Sequence, residues 1–231
     1  MSIILCIETG TEVCSVSLSK DSKIIDIRES AEPQAHARQL AVFIDELLKK
    51  NSLTTKDLSA VAVSEGPGSY TGLRIGVSTA KGICFGSGIP MIAIDSLQAL
   101  TQGAINQVGG NTGSIFCPMI DARRMEVYTA LYHSDGSPKT ATEALIIDEN
   151  SFQKELAESK VYFFGNGAPK CIEIINHPNA AFINVTHTAA NMVLLAHRLF
   201  DAAKFVDVAY FEPFYLKDFV VTKSKKNSLG L

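Results

Sequence analysis

The chain has 231 residues, enough for one large domain or two small ones, and its 46% hydrophobic content is ordinary for a protein with a sizeable core. A net charge of −3 gives no general attraction to nucleic acid. No apolar stretch approaches the roughly 18 residues that a membrane-spanning helix needs, and the run Ile3 to Ile7 is too short, and lacks the basic flank, for a secretory leader.

Five cysteines (Cys6, Cys14, Cys84, Cys117, Cys171) are scattered, odd in number and without a C-x-x-C pair. That pattern fits a reducing, cytoplasmic setting better than a disulfide framework. Residues 3–7 read as a buried strand, Glu8 to Glu12 as a turn, and 13–18 as a second strand. Lys20 to Lys23 is a further turn and 24–28 a third strand. This antiparallel opening, with its acidic, hydroxyl-bearing first turn, resembles the first phosphate loop of actin-like and ribonuclease-H-like folds, although such turns are common in hairpins.

Pro33 to Lys50 carries an apolar stripe of Ala37, Leu40, Ala41, Ile44, Leu47 and Leu48 and reads as an amphipathic helix. Thr54 and Asp57 suggest a capping box on a short second helix. A strand over 60–64 then enters Gly66-Pro67-Gly68-Ser69-Tyr70-Thr71-Gly72-Leu73-Arg74. Ser69 or Thr71 can cap the helix that follows, expected over about 71–85, so strand, glycine turn and helix make an anion-friendly N-terminus. At about 100° per residue, Leu73, Gly76, Val77, Ala80 and Cys84 share one face of that helix and Ile75, Thr79, Gly82, Ile83 and Gly86 the other. Two apolar faces imply either a helix buried within one domain or one packed inside on its own sheet and outside on a partner.

A strand over 91–94 leads to a helix capped by Asp95 or Ser96, and the Gly-rich segment 107–114 is the candidate domain boundary. The second half repeats the theme with strands at 115–120, 126–132 and 144–147 and a helix to about Ser159. After these come a strand at 161–164 and helices over 169–176 and 189–204. Hairpin, strand, helix, strand, helix thus occurs twice, which predicts two similar α/β lobes with mixed sheets, 1–108 and 109–231. The aromatic stretch 211–219 is expected to pack across the body, where it is free to return to the first lobe. Lys223, Lys225 and Lys226 read as a solvated tail.

Motifs for nucleophilic or metal chemistry are absent: the five histidines are isolated, there is no H-x-x-x-H or H-E-x-x-H, and no G-x-x-x-x-G-K-[ST]. Glu8, Asp95 and Asp121 sit at expected strand ends, where α/β sheets often bind ligands, but each is also an ordinary turn or cap residue.

Several blocks together are similar to the bacterial TsaB (YeaZ) family. They are Ile4-Leu5-Cys6-Ile7-Glu8-Thr9, the Gly66 to Gly76 block, Ala80-Lys81-Gly82, Gly88-Ile89-Pro90, and Ile120-Asp121-Ala122-Arg123 with Glu126-Val127-Tyr128. The resemblance implies two ribonuclease-H-like lobes of the actin-like ATPase (ASKHA) superfamily. It also implies a part in making N6-threonylcarbamoyladenosine at adenosine 37 of tRNAs that read codons beginning with A. In that pathway TsaD transfers the threonylcarbamoyl group, TsaB supports it, and the ATPase TsaE joins the pair. TsaD shares the glycine block but carries two metal-binding histidines four residues apart, and those positions are Ser96 and Leu100 here. The family's Asp in the first turn is Glu8.

The resemblance therefore implies a non-catalytic subunit with no cofactor of its own, ATP or ADP and metal being held by partner subunits and tRNA reached through the complex. The implied interface with TsaD, or in a homodimer of the free chain, holds His36, Leu40, Phe43, Leu73, Arg74, Val77, Ala80, Lys81 and Cys84. The competing reading is an actin-like ATPase or sugar-kinase relative. Its anion site would lie near Glu8, Thr9, Gly66, Gly68, Ser69 and Asp121, with the Gly165 to Gly167 turn beside it. A metalloprotease fails on ligand count.

Overall fold

The computed structural model describes residues 1–32, 34–110 and 113–217. The basic run at 223–226, the end of the aromatic stretch and part of the 107–114 boundary segment lie outside the described residues.

The first lobe is a sheet of β1 (Ile3–Glu8), β2 (Cys14–Lys20), β3 (Lys23–Ser30), β4 (Ala60–Gly66) and β5 (Met91–Asp95), in the order β3-β2-β1-β4-β5. β1 pairs antiparallel with β2 and parallel with β4. β1 is buried on both faces, which is why its sequence is a continuous apolar run rather than an alternating one. Its alternate side chains divide between two cores. Leu5 and Ile7 meet α1 (Ala35–Lys50) and α2 (Tyr70–Ser87) through Leu40, Ile44, Leu47, Val77, Ala80 and Cys84. Ile4 and Cys6 meet Met192, Val193 and Ala196. Each such aliphatic side chain contributes about 1.5–3 kcal/mol of burial.

The second lobe repeats the order. β6 (Ile115–Asp121) is flanked by β7 (Glu126–Thr129) and β8 (Glu143–Ile146) on one side and by β9 (Val161–Phe164) and β10 (Ala180–Phe182) on the other. β6 is antiparallel to β7 and parallel to β9, matching β1 with β2 and β4. Phe163 anchors one face, its ring 5.4 Å from Phe152 and 5.2 Å from Phe182.

Two helices are exchanged between the lobes. α3 (Ser96–Val108) follows β5, yet Leu97, Leu100 and Ala104 enter the second lobe's core beside Phe116, Ile120 and Phe164, while Ala99 stays in the first. α5 (Val193–Asp201) and the preceding 3-10 turn Ala189–Met192 come after every strand of the second lobe but cover the first lobe's sheet. Helix α3, not α2, is therefore the element buried nearly all round.

Three expectations change. The expected helix at 169–176 is a single 3-10 turn, Pro169–Cys171, followed by the short strand β10. The helix expected over 148–159 is cut to α4 (Gln153–Glu158). The helix expected at 189–204 starts as a 3-10 turn whose first N–H is met by Ser15 Oγ at 2.9 Å. The aromatic segment does return to the first lobe. Val206 bonds to Met91 on the edge of β5, Phe211 joins the core, Phe214 N–H donates to Glu65 O at 2.7 Å, and Tyr215 lies 4.6 Å from Tyr70. This strap covers an edge that would otherwise be open to pairing.

Met192 is fully buried against β1 and β5 residues. Met192→Ala is expected to destabilise the chain by about 2–5 kcal/mol, with the first lobe losing structure in the same urea transition. First-lobe structure that survived well past that transition would show that α5 is dispensable to it.

Candidate partner surface and inter-lobe cleft

A cleft of about 980 Å³ separates the lobes, lined on one side by Gly10 to Glu12, His36 and Gly68 to Thr71, and on the other by Ile120 to Arg124, Glu126, Tyr128 and Asn166. Its floor is the turn after β1. Glu8 is fully buried; its Oε1 accepts from Gly10 N–H at 2.6 Å and its Oε2 lies 3.2 Å from His187 Nε2, close enough to pair but out of line for a hydrogen bond. Burial opposes ionisation of both groups, but their mutual attraction outweighs it, so Glu8 is held below and His187 above its ordinary value. Nearby, burial raises Asp95, which caps α3 by accepting from Gln98 N–H at 2.7 Å and accepts from Tyr132 O–H at 3.2 Å. Glu65, buried and close to Asp95, is pushed up to about 6.

These contacts also hold the lobes together. His187 and Tyr132 belong to the second half of the chain and reach Glu8 and Asp95 of the first. Asn166 Nδ2–H donates to Glu12 Oε2 at 2.7 Å, and Lys217 of the strap pairs with Glu126.

The N-terminus of α2 closes on the same turn. Ser69 N–H donates to Gly10 O at 2.7 Å, and Ser69 Oγ caps the helix by accepting from Gly72 N–H at 3.3 Å. A Cβ at Gly68 would collide with the carbonyl of Gly10, at Gly72 with the carbonyl of Thr9, and at Gly76 with Thr9 Oγ1. The glycines exist for this approach of backbone to backbone.

The residues of the suggested anion site have contacts within the chain, while Gly68, Ser69 and Asp121 also line the cleft. Glu8 and Thr9 are buried, Gly66 lies under Phe214, Gly68 rests on Gly10 and Ser69 is the helix cap. Asp121 is exposed but paired with Lys170. The Gly165 to Gly167 turn holds Asn166, whose Oδ1 accepts from Asp121 N–H at 3.0 Å. Ser96 and Leu100 are both buried, and a Cβ on Gly165 would stand 2.7 Å from Leu100 Cδ2. An alkyl group fills that position, and no cluster of three metal-ligating side chains occurs among the described residues.

The expected interface residues divide. Leu40, Leu73, Val77, Ala80 and Cys84 point into the first lobe's own core, with Val77 only 4% and Ala80 0% exposed, so they are not partner contacts. The wheel showed two apolar faces but could not say which faced the sheet. His36, Phe43 and Lys81 are half-exposed and Arg74 is exposed. Lys81 Nζ donates to Ala209 O at 3.1 Å, and Arg74 to Tyr70 Oη at 3.0 Å. The outer face of α2 carries instead Ser78, Gly82 and Gly86, all exposed, beside Phe85 at 87% exposure. Nothing lies within 4 Å of where a Cβ on Gly82 or Gly86 would sit. α1 adds Val42 at 49% exposure. Phe85 falls on neither apolar face of the wheel, and nothing local in the sequence marked His187 or Glu65.

The ionic pair on the floor makes stability depend on pH in a defined sense. Glu8 contributes above its ordinary 4.5 and loses that contribution as pH falls; His187 contributes below its ordinary 6.5 and loses it as pH rises. The melting-temperature difference between the native chain and Glu8→Gln is expected to be largest between pH 4.5 and 6.5 and to shrink on either side. A difference independent of pH would mean that the pair is not ionised.

The family described as TsaD, tRNA N6-adenosine threonylcarbamoyltransferase, has a model that matches residues 29–225. The tRNA threonylcarbamoyladenosine biosynthesis protein TsaB of Escherichia coli K12 is 30% identical over 227 residues, covering 95% of this chain and 96% of its own length. The Bacillus subtilis protein of the same name is 33% identical over 129 residues, 56% of this chain and 54% of its own. A solved structure from Pseudomonas aeruginosa, described as an uncharacterized protein with similarity to peptidase YEAZ, superposes with a TM-score of 0.83 at 25% identity, over 94% of this chain and 100% of that one. With its two mixed sheets of one strand order and these full-length likenesses, the chain is a two-lobed actin-like protein that belongs to the TsaB (YeaZ) family of tRNA threonylcarbamoyladenosine biosynthesis proteins.

Proposed function

We propose that this chain is an accessory subunit in the threonylcarbamoylation of adenosine 37 in tRNAs that read codons beginning with A. It acts without catalytic residues of its own and pairs with TsaD through the outer faces of α1 and α2, TsaE joining the pair. Self-pairing through the same surface is the alternative for the free chain. ATP or ADP and metal belong to the partner subunits, tRNA is engaged within the complex, and the setting is cytoplasmic.

The observation that carries this reading is the outer face of α2. The inner face is fully occupied, yet the outer one sets Phe85 beside the open positions of Gly82 and Gly86. Glycine in a helix interior is unfavourable by about 0.8–1 kcal/mol relative to alanine, and no contact among the described residues compensates at these two places. A partner helix approaching closely would supply the compensation, with Phe85 as an aromatic anchor of the kind that dominates interfaces. The ATPase reading has no such observation behind it, because its loop is packed against α2.

Gly82→Arg and Phe85→Asp are expected to abolish co-purification with TsaD and to remove tRNA modification by the reconstituted complex, while the isolated chain keeps its melting temperature within a few degrees. Gly82→Ala is expected to stabilise the isolated chain by about 0.8–1 kcal/mol. Val77→Arg and Ala80→Arg are expected to unfold it, since both side chains are in the core. Undiminished pairing by Phe85→Asp and Gly82→Arg would remove this surface from the proposal.

A further inference from the structure

The hairpin between β6 and β7 is shaped unlike its surroundings. Arg123 and Arg124 both hold positive φ, at 72° and 50°. That region is unfavourable for any residue with a Cβ, and hairpins that need it at two successive positions favour Asn-Gly or Asp-Gly. The two-residue β2–β3 turn of this chain also holds two successive positive φ values, 48° and 65°, and fills them with Asp21 and Ser22. Those are short polar side chains that can bond locally; Ser2 N–H donates to Asp21 Oδ1 at 2.8 Å. Arginine brings no such compensation. Both arginines are exposed, and among the described residues neither guanidinium has an ion-pair or hydrogen-bond partner.

The carboxylates at the two ends of the hairpin are taken. Asp121 pairs with Lys170 and its Oδ1 accepts from the Arg123 backbone N–H at 3.1 Å, while Glu126 pairs with Lys217. The hairpin therefore presents two uncompensated positive charges at the rim of the cleft in a chain whose net charge is −3. Two adjacent guanidiniums on a rigid turn suit phosphate oxygens, which they can meet through paired N–H groups.

We propose that Arg123 and Arg124 form a phosphate clamp that holds the backbone of the RNA substrate when it enters the complex; the proposal rests on the functional reading above and deepens it. A backbone phosphate fits better than the phosphates of a nucleotide lodged in the cleft. The floor beneath the clamp is closed by the Thr9–Gly10 turn against α2. The arginines stand at the rim, where a polymer can pass. Two contacts are too few for tight binding by this chain alone, which agrees with its acidic balance, so the clamp acts as one part of a surface completed by the partner subunits.

The test is the double variant Arg123→Asn with Arg124→Gly, which gives the turn the residues its geometry favours. The isolated variant is expected to melt higher than the native chain. In the complex reconstituted with TsaD and TsaE, co-purification is expected to be unchanged. Affinity for a tRNA transcript reading codons that begin with A is expected to fall, with the slope of log affinity against log salt reduced by about 1.5. The gap between native and variant complexes should accordingly narrow about eightfold between roughly 50 and 200 mM salt. Unchanged tRNA affinity and salt slope in an assembled, active complex would overturn the clamp and leave the functional reading intact. Loss of ATP binding with tRNA binding unchanged would overturn it in favour of a nucleotide. A native chain that neither pairs with TsaD nor supports modification would overturn the functional reading, and the clamp with it.

Discussion

The contact between the Thr9–Gly10 turn and the first two turns of α2 has no room for a methyl group at Gly68, Gly72 or Gly76, and much of the molecule follows from it. It fixes which face of α2 lies on the sheet, because only the glycine face can come this close. Leu73, Val77, Ala80 and Cys84 are carried inward on the same side, and Ser78, Gly82, Phe85 and Gly86 are turned outward. At the start of α2 one of the helix's free N–H groups, that of Gly72, is satisfied by the chain's own Ser69 Oγ. Much of the space beside strand, glycine turn and capped helix is thus filled by the backbone of the Thr9–Gly10 turn, with Gly68 and Ser69 left on the cleft wall.

Closing that floor has an electrostatic consequence. Carboxylates at the ends of β1, β4 and β5 are removed from water, and each responds differently. Glu8 remains ionised because His187 is 3.2 Å away. Asp95 is raised, since the Tyr132 hydroxyl and the Gln98 amide offset its burial only in part, and Glu65 follows it upward. Buried pairs of this kind add little net stability compared with apolar packing, but breaking one leaves a charge uncompensated. Here they join residues far apart in the chain, so that the lobes are tied at the base of the cleft.

The sequence exposed the elements well where local rules decide them. Ser69 and Asp95 cap as their positions suggested, the Thr54–Asp57 box forms, and the twofold repeat of hairpin and crossover is real in both strand order and direction. It failed where distant contacts decide. A 3.6-residue wheel finds two apolar faces on α2 but carries no sign for which is inside. β10 is three residues long and exists because it lies beside β9. The 169–176 segment has helical residues and packs Cys171 and Ile175 on the second sheet, but its regular part is a single 3-10 turn. The exchange of α3 and α5 between lobes is invisible to any window, because each helix follows one sheet and packs on the other. His187 stands alone in sequence and gains its meaning from Glu8, 179 positions earlier (187 − 8).

Small residues on one helix can therefore have two separate causes. On the inner face of α2 the missing side chains are demanded by the chain itself, and a methyl group at Gly76 would meet Thr9. On the outer face nothing in the chain demands them, yet Gly82 and Gly86 lower the helix's own stability. Arg123 and Arg124 show the same asymmetry in another form: a turn with two positive φ values carries two cations without partners among the described residues. Sites where local rules are broken are where function or strain is to be sought. The outer face of α2 and the rim of the cleft are two such places, and the proposed partner and RNA contacts fall on them.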